Sequence, residues 1–383
     1  MSTFKPGMAA TGDTALYIGL MSGTSTDGVD AVLAEFSDAN PPTLLGTVSL
    51  PMPSALRERL LALNTPGPNE LESAALASRD LAVLYAQAVH ELLHRTDVAP
   101  HQVSAIGAHG QTVRHAPHQG YTIQLNAPAV LAEATGIAVI ADFRSRDVAA
   151  GGQGAPLVPA FHQAMFGTRK HLTLLNLGGI ANITVLQPNK TVSGFDTGPA
   201  NVLLDAWVNH HLGQPYDEHG AWAATGRSNG QLLNYLLNSE PWFHEPPPKS
   251  TGRDLFNLVW LTERLQSFTQ DTKTSLPAPN DIQATLQNLT AQSVAQAIHK
   301  HAALTEEVWV CGGGALNPGL MSDLQSALSV PVRPTSDAGV PVMAVEALAF
   351  AWLAWAHEKG HPAGLPAVTG ARHASILGCR YPA

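Results

Sequence analysis

A short polar segment, residues 22–30, carries the residue types that bind phosphate. It lies between two apolar stretches that are typical of strands, the second running from Val29 to Leu33. Gly23 and Gly28 can adopt φ > 0 and place no Cβ in the way of a ligand. Backbone N–H groups in such a turn can surround phosphate oxygens together with the hydroxyls of Ser22, Thr24, Ser25 and Thr26. A polar hairpin without a ligand is the alternative, but the run of hydroxyls between two glycines favours phosphate.

Three carboxylates could take part in chemistry at such a site. Asp27 and Asp30 could hold water or Mg²⁺ beside a phosphate, because Mg²⁺ prefers oxygen ligands. Asp196 directly follows a predicted strand, Val192 to Phe195, and precedes a predicted helix start. A carboxylate there can project into a cleft and act as a general base. It can equally well be an N-cap aspartate, and the residues themselves leave these two interpretations open.

Two further glycine turns follow predicted strands. Gly178 and Gly179 come after the strand Leu172 to Leu177, and Gly312, Gly313 and Gly314 come after the strand Val308 to Cys311. The turns at Gly23 and Gly178 could clamp phosphates from two sides. The third turn would let a flat ring approach the backbone and would aim a helix N-terminus at it. Each turn alone is weak evidence, but three turns in two similar halves suggest a nucleotide held in an interdomain cleft.

The familiar nucleotide and hydrolase motifs do not occur in the sequence. There is no G-x-x-x-x-G-K-[ST], no G-x-G-x-x-G that opens a helix after a strand, and no G-x-S-x-G. One literal motif does occur, H-E-x-x-H at His90 to His94, within a helix predicted from Glu70 to Arg95. At ~3.6 residues per turn both histidines fall opposite the apolar face of this helix, so we reject a zinc-protease site.

The elements that would position these residues follow an α/β pattern in two similar halves. In each half a strand enters a glycine turn and returns as a second strand, and strands and helices then alternate. We predict two domains, residues 1–142 with the first phosphate turn and residues 143–383 with the second turn, Asp196 and the third turn. The extreme C-terminus has the character of loop and edge structure that could pack on the first domain. The loop Lys249 to Arg253 could touch either substrate or solvent.

Composition narrows the function classes. The 383 residues carry a formal net charge of −9 and only 13% charged residues, with no basic run, which argues against a nucleic-acid binder or a protein that binds anionic membranes. The two cysteines, Cys311 and Cys379, make a disulfide framework improbable and fit a reducing cytoplasm. We find no signal peptide and no apolar run long enough to cross a bilayer.

Several blocks together resemble the anhydro-N-acetylmuramic acid kinases. They follow the family's order from one end of the chain to the other, and they are residues 19–30, 107–112, 141–144, 147–156, 194–199, 250–253 and 311–314. This family belongs to the sugar kinase and actin-like ATPase superfamily. The resemblance therefore implies an α/β, ribonuclease H-like fold with two related cores and an interdomain cleft that closes around ATP.

The resemblance also implies a reaction and its residues. ATP and water would act on 1,6-anhydro-N-acetylmuramic acid, opening the anhydro bridge and phosphorylating the freed 6-oxygen, with Asp196 as catalytic base. The expected ATP-binding residues are Gly23, Thr24, Ser25, Thr26, Asp27, Gly28, Val29, Asp30, Gly178, Gly179, Gly312, Gly313 and Gly314. The expected sugar-binding residues are His109, Gln111, Arg144 and Glu346. Mg²⁺ is expected with ATP, and its ligands stay open among Asp27, Asp30 and Asp196.

Alternatives remain at this point. Glu346 lies in an apolar helix, where it could instead be a buried, paired structural carboxylate. A kinase of another amino sugar on the same fold, or a nucleotide-dependent sugar-binding protein without activity, would share most of these features. The family also implies a homodimer and a role in peptidoglycan recycling in the cytoplasm.

Overall fold

A computed structural model describes residues 14–23, 26–167, 170–188, 190–247, 249–253 and 255–383. The strands in chain order are β1 (Ala15–Met21), β2 (Gly28–Phe36), β3 (Thr43–Pro51), β4 (Val103–Ala108), β5 (Gln111–Ala116), β6 (Tyr121–Leu125), β7 (Val139–Ala141), β8 (Leu172–Leu177), β9 (Ile180–Leu186), β10 (Ser193–Pro199), β11 (Glu307–Cys311), β12 (Val332–Pro334) and β13 (Cys379–Tyr381). The α-helices are α1 (Ser54–Ala62), α2 (Glu70–Thr96), α3 (Pro128–Thr135), α4 (Ser145–Ala149), α5 (Val158–Phe166), α6 (Asn201–Leu212), α7 (Gly230–Ser239), α8 (Leu258–Thr272), α9 (Pro279–His301), α10 (Pro318–Ala327), α11 (Val345–Glu358) and α12 (Pro366–Thr369).

The first of two compact units runs to Phe166 and takes in Glu346–Ala383. Its main sheet has the order β3-β2-β1-β4-β7-β13. Strand β1 is antiparallel to β2 and parallel to β4, and β7 continues the parallel part. The apolar face predicted for α2 is confirmed, since Leu81, Tyr85 and Leu92 are fully buried in the core of this unit.

Helix α11 lies very close to the strands of this sheet. A Cβ built on Gly19 in β1 would lie 1.9 Å from the carbonyl oxygen of Ala347, and one on Gly107 in β4 would lie 2.0 Å from that of Phe350. Because any side chain at these two positions would collide with helix backbone, glycine is required there. This close approach fixes the start of α11, where Glu346 lies.

The second unit, Gly167–Val345, repeats the strand arrangement of the first. Its sheet has the order β10-β9-β8-β11-β12. Strand β8 is antiparallel to β9 and parallel to β11, as β1 is to its own neighbours. Helices α9 and α10 cover this sheet with buried apolar residues, among them Val294, Ile298 and Leu320. The predicted α/β fold with two related cores is therefore confirmed.

The limits of the units differ from the predicted domain boundary. The sequence placed that boundary at 142/143, whereas the compact units divide the chain at 166/167 and 345/346. Two elements explain the second division, since α11 packs on β1 and β4, and β13 pairs antiparallel with β7. The functional labels attached to the two predicted domains stay predictions.

The structure agrees with the rejection of a zinc-protease helix. His90 and His94 are exposed on α2, while its opposite face is buried. Among the residues that the structure describes, no three His, Cys, Asp or Glu side chains are grouped closely enough to hold a metal ion. No helix in the described part of the chain combines the length and apolar character needed to cross a membrane.

Candidate active site

A buried glutamine, Gln111, forms hydrogen bonds with the turn between β1 and β2. The Oγ of Ser22 donates to Oε1 of Gln111 at 2.5 Å, and Nε2 of Gln111 donates to the carbonyl of Gly23 at 3.1 Å. The same carbonyl accepts the N–H of Thr26 at 3.1 Å. Gln111 is 2% exposed and is the first residue of β5. Its amide group therefore restrains the predicted phosphate turn, a role that the sequence did not suggest.

Other residues of the predicted turn have mixed outcomes. Gly28 can adopt φ > 0 but does not do so in the structure. A Cβ there would lie 2.5 Å from the carbonyl oxygen of Leu50, so the neighbouring strand requires the glycine. Thr26 instead takes the left-handed conformation, with φ 55°. The side chain of Val29 packs in the hydrophobic core, and Val29 pairs with Leu50 of β3. Thr24 and Ser25 lie outside the described residues.

The two aspartates of the turn differ in environment. The side chain of Asp27 is 74% exposed, with Nη2 of Arg57 3.8 Å from its Oδ1. Asp30 lies in β2, where its Oδ1 accepts the hydroxyl of Ser49 at 2.5 Å. Burial raises the pKa of Asp30 above its ordinary value, partly offset by that hydrogen bond. Of the two, Asp27 has the more accessible carboxylate oxygens for a divalent cation.

The partly buried Arg144 and the buried His109 form a hydrogen-bonded pair in the first unit. Nε and Nη2 of Arg144 lie 3.0 and 2.9 Å from Nε2 of His109, and Nη1 donates to the carbonyl of Gly154 at 2.8 Å. Burial, and then the charge of Arg144, lowers the pKa of His109 well below its ordinary value. His109 is therefore neutral, and its Nε2 is the acceptor that faces the guanidinium.

Two carboxylates act electrostatically on this partly buried arginine. Burial lowers the pKa of Arg144 to about 10, and the charges of Glu346 and Asp147 counteract part of that effect. Arg144 consequently stays protonated at neutral pH. Of the four predicted sugar-binding residues, the structure brings Arg144, His109 and Glu346 together, whereas the amide of Gln111 bonds to the phosphate turn.

Asp147 is a buried residue of this cluster that the sequence reading did not assign. Its Oδ2 accepts the N–H of Gly154 at 2.7 Å, and its Oδ1 accepts the hydroxyl of Thr369 at 2.8 Å. A Cβ on Gly152 would lie 2.2 Å from Oδ2, so this glycine makes room for the carboxylate. Asp147 thereby joins the glycine-rich loop to the C-terminal segment around Thr369. Its position three residues after Arg144 was the signal available in the sequence.

In the second unit, Asp196 lies inside β10 rather than after it. The strand continues to Pro199, with a register shift between Asp196 and Gly198, and the N-cap of α6 is Ala200. The N-cap interpretation of Asp196 is therefore excluded. The predicted end of this strand at Phe195 was too early, because pairing with β9 carries it through Gly198 to Pro199.

The carboxylate of Asp196 is held by the segment Lys249 to Thr251. Its Oδ2 accepts the N–H of Thr251 at 2.9 Å, and the N–H of Asp196 donates to the carbonyl of Lys249 at 3.1 Å. Burial raises the pKa of Asp196 to about 6, against the opposing influence of the Thr251 N–H and the Lys249 charge. Such a carboxylate is ionised at neutral pH and is a stronger base than an ordinary aspartate.

The loop that the sequence left open between substrate and solvent contacts the protein itself. Nζ of Lys249 donates to the carbonyls of Trp242 and Phe243, both at 3.1 Å, and lies 4.1 Å from the centre of the Trp242 ring. With the two backbone contacts to Asp196, these bonds fix the position of the segment. Lys249 and Thr251 are thus positioning residues that sequence reasoning missed, although they lie in a block that it quoted.

The two glycine turns of the second unit differ in whether packing requires glycine there. The carbonyls of Gly178 and Gly179 accept N–H groups from residues 200–202 at the start of α6. A Cβ on either glycine would meet its nearest atom at 3.7 or 3.9 Å, so packing within the described chain does not demand glycine there. Gly312 has φ +82°, and its Cβ would lie 2.5 Å from Oδ1 of Asn176, so this position does need glycine.

The helix predicted to follow the third turn is confirmed as α10. Residues Gly313–Leu316 form a 3₁₀ turn, and α10 begins only at Pro318. The side chain of Asn317 caps this helix by accepting the N–H of Leu320 at 3.1 Å. Asn317 makes this bond because residues with a short polar side chain satisfy the first free N–H groups of a helix.

Comparison with known proteins identifies the family of this chain. The family described as "Anhydro-N-acetylmuramic acid kinase" matches residues 15–383. A protein of that name from Bordetella pertussis is 62% identical over 368 residues, covering 96% of both chains. Another from Paraburkholderia xenovorans is 52% identical over 374 residues, covering 96% of this chain and 98% of its own.

Among solved structures, component A of the (R)-2-hydroxyglutaryl-CoA dehydratase of Acidaminococcus fermentans aligns with a TM-score of 0.48 and 12% identity, covering 88% of this chain and 96% of that one. The assignment does not depend on this distant likeness, because the family match spans both units and the two relatives align over nearly the whole chain. The chain therefore belongs to the anhydro-N-acetylmuramic acid kinase family.

Proposed function

We propose that the protein uses ATP and water to open 1,6-anhydro-N-acetylmuramic acid and to phosphorylate its 6-oxygen, giving N-acetylmuramic acid 6-phosphate and ADP. Membership of the family across residues 15–383 supports the substrate. The single structural observation that carries the chemistry is the partly buried carboxylate of Asp196, restrained by the N–H of Thr251. A kinase of another amino sugar, or a sugar-binding protein without activity, has no comparable support.

Asp196 would act as the general base. It takes a proton from a water molecule, whose oxygen forms a bond to the anomeric carbon while the bond from that carbon to the bridge oxygen breaks. The freed 6-oxygen keeps the electron pair of that bond and attacks the γ-phosphorus of ATP. The bond between the γ-phosphorus and the β–γ bridging oxygen then breaks, and ADP leaves with its electron pair. Since the bridge oxygen leaves as the nucleophile of the second step, it needs no proton, and one carboxylate suffices where ordinary glycosidases use two.

The glycine turns would bind ATP. The turn at residues 22–30 and the turn at Gly178 and Gly179 would donate backbone N–H groups to the phosphates, because such turns form concave anion sites. The space beside Gly178 and Gly179 is consistent with a ligand that approaches the backbone. Residues 312–314 would lie against the nucleoside.

Mg²⁺ would bind mainly through ATP and water. The exposed carboxylate of Asp27 offers the oxygen ligands that Mg²⁺ prefers, and the ion usually takes only one or two protein carboxylates beside substrate phosphates. When bound, it would neutralise charge on the phosphoryl group in transfer. Asp30 is a weaker candidate ligand because it already accepts a hydrogen bond from Ser49.

Arg144, His109 and Glu346 would form the sugar site in the first unit. His109 is neutral and Arg144 charged, so the cluster offers both kinds of polar group to sugar oxygens. Glu346 lies at the start of α11, whose position the contacts at Gly19 and Gly107 fix. The family resemblance further supports a homodimer in the cytoplasm. Sedimentation equilibrium of the purified protein would test the dimer.

The test of this function is turnover in ¹⁸O-labelled water. We expect wild-type protein with ATP and Mg²⁺ to convert 1,6-anhydro-N-acetylmuramic acid into a phosphorylated product that carries label on the anomeric hydroxyl, read by mass spectrometry. N-acetylmuramic acid and N-acetylglucosamine serve as parallel acceptors. Unlabelled phosphorylated product would overturn the water mechanism. Preference for an ordinary amino sugar would overturn the substrate assignment.

Gln111→Ala tests whether this glutamine acts on ATP or on the sugar. Because Gln111 restrains Ser22 and Gly23, we expect the KM for ATP to rise about tenfold, corresponding to the loss of buried hydrogen bonds worth ~1–3 kcal/mol. The KM for the sugar should change much less. Gln124→Ala in the adjacent β6, where the amide donates to Thr112 and Thr122, is the matched control. A rise confined to the KM for the sugar would instead support the earlier expectation that Gln111 binds the sugar directly.

A further inference from the structure

A cavity with several polar lining residues lies in the unit that contains Asp196. Its volume is about 450 Å³, within the range of small-molecule sites. Phe195 and Thr197, the neighbours of Asp196 in β10, line one wall. Because successive side chains of a strand point to opposite faces, the carboxylate of Asp196 lies on the other side of β10 from this cavity. The cavity is therefore separate from the catalytic face of the strand.

The other walls of the cavity are rich in cations and imidazoles. Lys300 and His301 come from the last turn of α9, together with His299, and Lys249 comes from the segment that holds Asp196. His244 lies on a third wall, and Gln296 adds a neutral polar group. Among the residues that the structure describes, no carboxylate lines the cavity, although Glu245 and Asp196 act on Lys249 electrostatically. The cavity thus collects positive charge from several parts of the chain.

Helix stability alone does not explain this arrangement. Cations in the last turn of α9 favour the helix by complementing its dipole. Lys249 belongs to another segment, however, and its charge opposes those of α9. Burial, together with the charges of Lys300 and Lys249, lowers the pKa of His301. Burial and the charge of Lys300 likewise lower the pKa of Lys249, against the influence of Glu245 and Asp196. A bound anion would relieve this mutual repulsion.

We propose that this cavity binds a small phosphorylated anion, held by Lys249, Lys300 and His301, with the body of the ligand against Phe243 and Gln296. A phosphomonoester is close to a dianion at neutral pH and matches several cations better than a single carboxylate does. The volume exceeds what phosphate alone needs, so the ligand carries an organic part. This site goes beyond the proposed reaction, and its occupancy does not depend on turnover.

The cavity is linked to the base through one short segment. The carbonyl of Lys249 accepts the N–H of Asp196, and the charge of Lys249 lowers the pKa of that carboxyl. An anion beside Lys249 would weaken that influence, so the pKa of Asp196 would rise. Bound ligand should then move the acidic limb of the activity profile to higher pH. This consequence, unlike binding itself, rests on the proposed function.

Binding is tested by isothermal titration of the full-length protein with inorganic phosphate and with glucose 6-phosphate at about pH 7.5, where both are largely dianions. We expect glucose 6-phosphate to bind more tightly than phosphate. Lys300→Gln should weaken binding about tenfold, and Lys300→Glu should abolish it, because charge-assisted contacts are lost or reversed. Lys273→Gln and Lys273→Glu, at the exposed C-terminal end of α8, make the same charge changes and should leave binding unchanged.

The outcomes separate this cavity from the ATP turns. Phosphate held at the ATP turns would be displaced by ATP and would bind the Lys300 variants as well as the wild type, and that result would overturn the proposal. Equal weakening by the Lys273 variants would overturn it too, because it would show only a general effect of net charge. Loss of binding confined to the Lys300 variants supports the site, whether or not the protein turns over the anhydro sugar.

Discussion

Turnover by the Asp196→Asn variant is expected to be about a thousandfold slower than that of the wild type, within the range that a general base contributes. Asparagine has nearly the same shape and keeps an oxygen that can accept the N–H of Thr251. It cannot take a proton from water. The variant should therefore fold and bind substrates while kcat collapses, which steady-state kinetics with both substrates will measure.

The matched control for this variant is Asp271→Asn in α8. Asp271 is exposed and accepts the hydroxyl of Tyr235 at 2.8 Å, so the same change of charge occurs in the same unit away from β10. It should retain wild-type turnover. If Asp196→Asn keeps more than about a tenth of the wild-type kcat, the carboxylate is not the base.

The pH dependence gives an independent reading of the same residue. Burial raises the pKa of Asp196 to about 6, and the base works only when ionised. The value of kcat/KM should therefore be level above that pKa and fall about tenfold per pH unit below it. The residual activity of Asp196→Asn should lack this limb. A wild-type limb near the ordinary pKa of aspartate would show that burial does not govern this carboxylate.

Arg144→Met is expected to lower the free energy of unfolding by ~1–3 kcal/mol, the usual cost of leaving buried polar groups without their hydrogen-bond partner. Methionine can fill part of the space, but it leaves the charge of buried Asp147 uncompensated. It also removes the donors to His109 and to the carbonyl of Gly154. Equilibrium urea unfolding, followed by circular dichroism, measures the loss. We also expect weaker binding of the sugar because the site around His109 loosens.

Two further variants distinguish charge from geometry at this site. Arg144→Lys keeps the positive charge but loses the planar group that reaches both His109 and Gly154, so its stability should lie between those of the wild type and Arg144→Met. Arg146→Gln changes an exposed arginine of the same short helix and should be nearly neutral. Arg144→Met with wild-type stability would show that Asp147 does not need this partner.

Much of the local structure could be predicted from the sequence. The apolar residues of α2 recur with the helical period, so its length and buried face were predicted to within a residue or two. The repeated pattern of strand, glycine turn and strand predicted two related cores, and both sheets have it. The blocks that resemble the kinase family predicted membership correctly. Helices and tight turns depend mainly on residues that are close together along the chain. Their periodicity and turn composition can therefore be read from the sequence.

The features that could not be predicted from the sequence all depend on contacts between residues that are distant along the chain. Gly28 looked like a ligand-facing glycine, but the backbone of Leu50 in the adjacent strand is what requires it. Asp196 looked like the residue after a strand, but pairing with β9 extends the strand past it. The sequence allowed the extreme C-terminus to pack on the first domain, but only the structure shows that α11 belongs to that compact unit as well.

By itself the sequence determined that strands and helices alternate, that two halves are related, and which family the chain belongs to. Only the tertiary structure decided that Gln111 supports the phosphate turn, that Asp147 balances Arg144, and that Lys249 and Thr251 restrain Asp196. The physical reason is that helical and strand periods arise from local backbone geometry. A hydrogen bond or ion pair between distant residues forms only where packing of the whole core brings its two partners together.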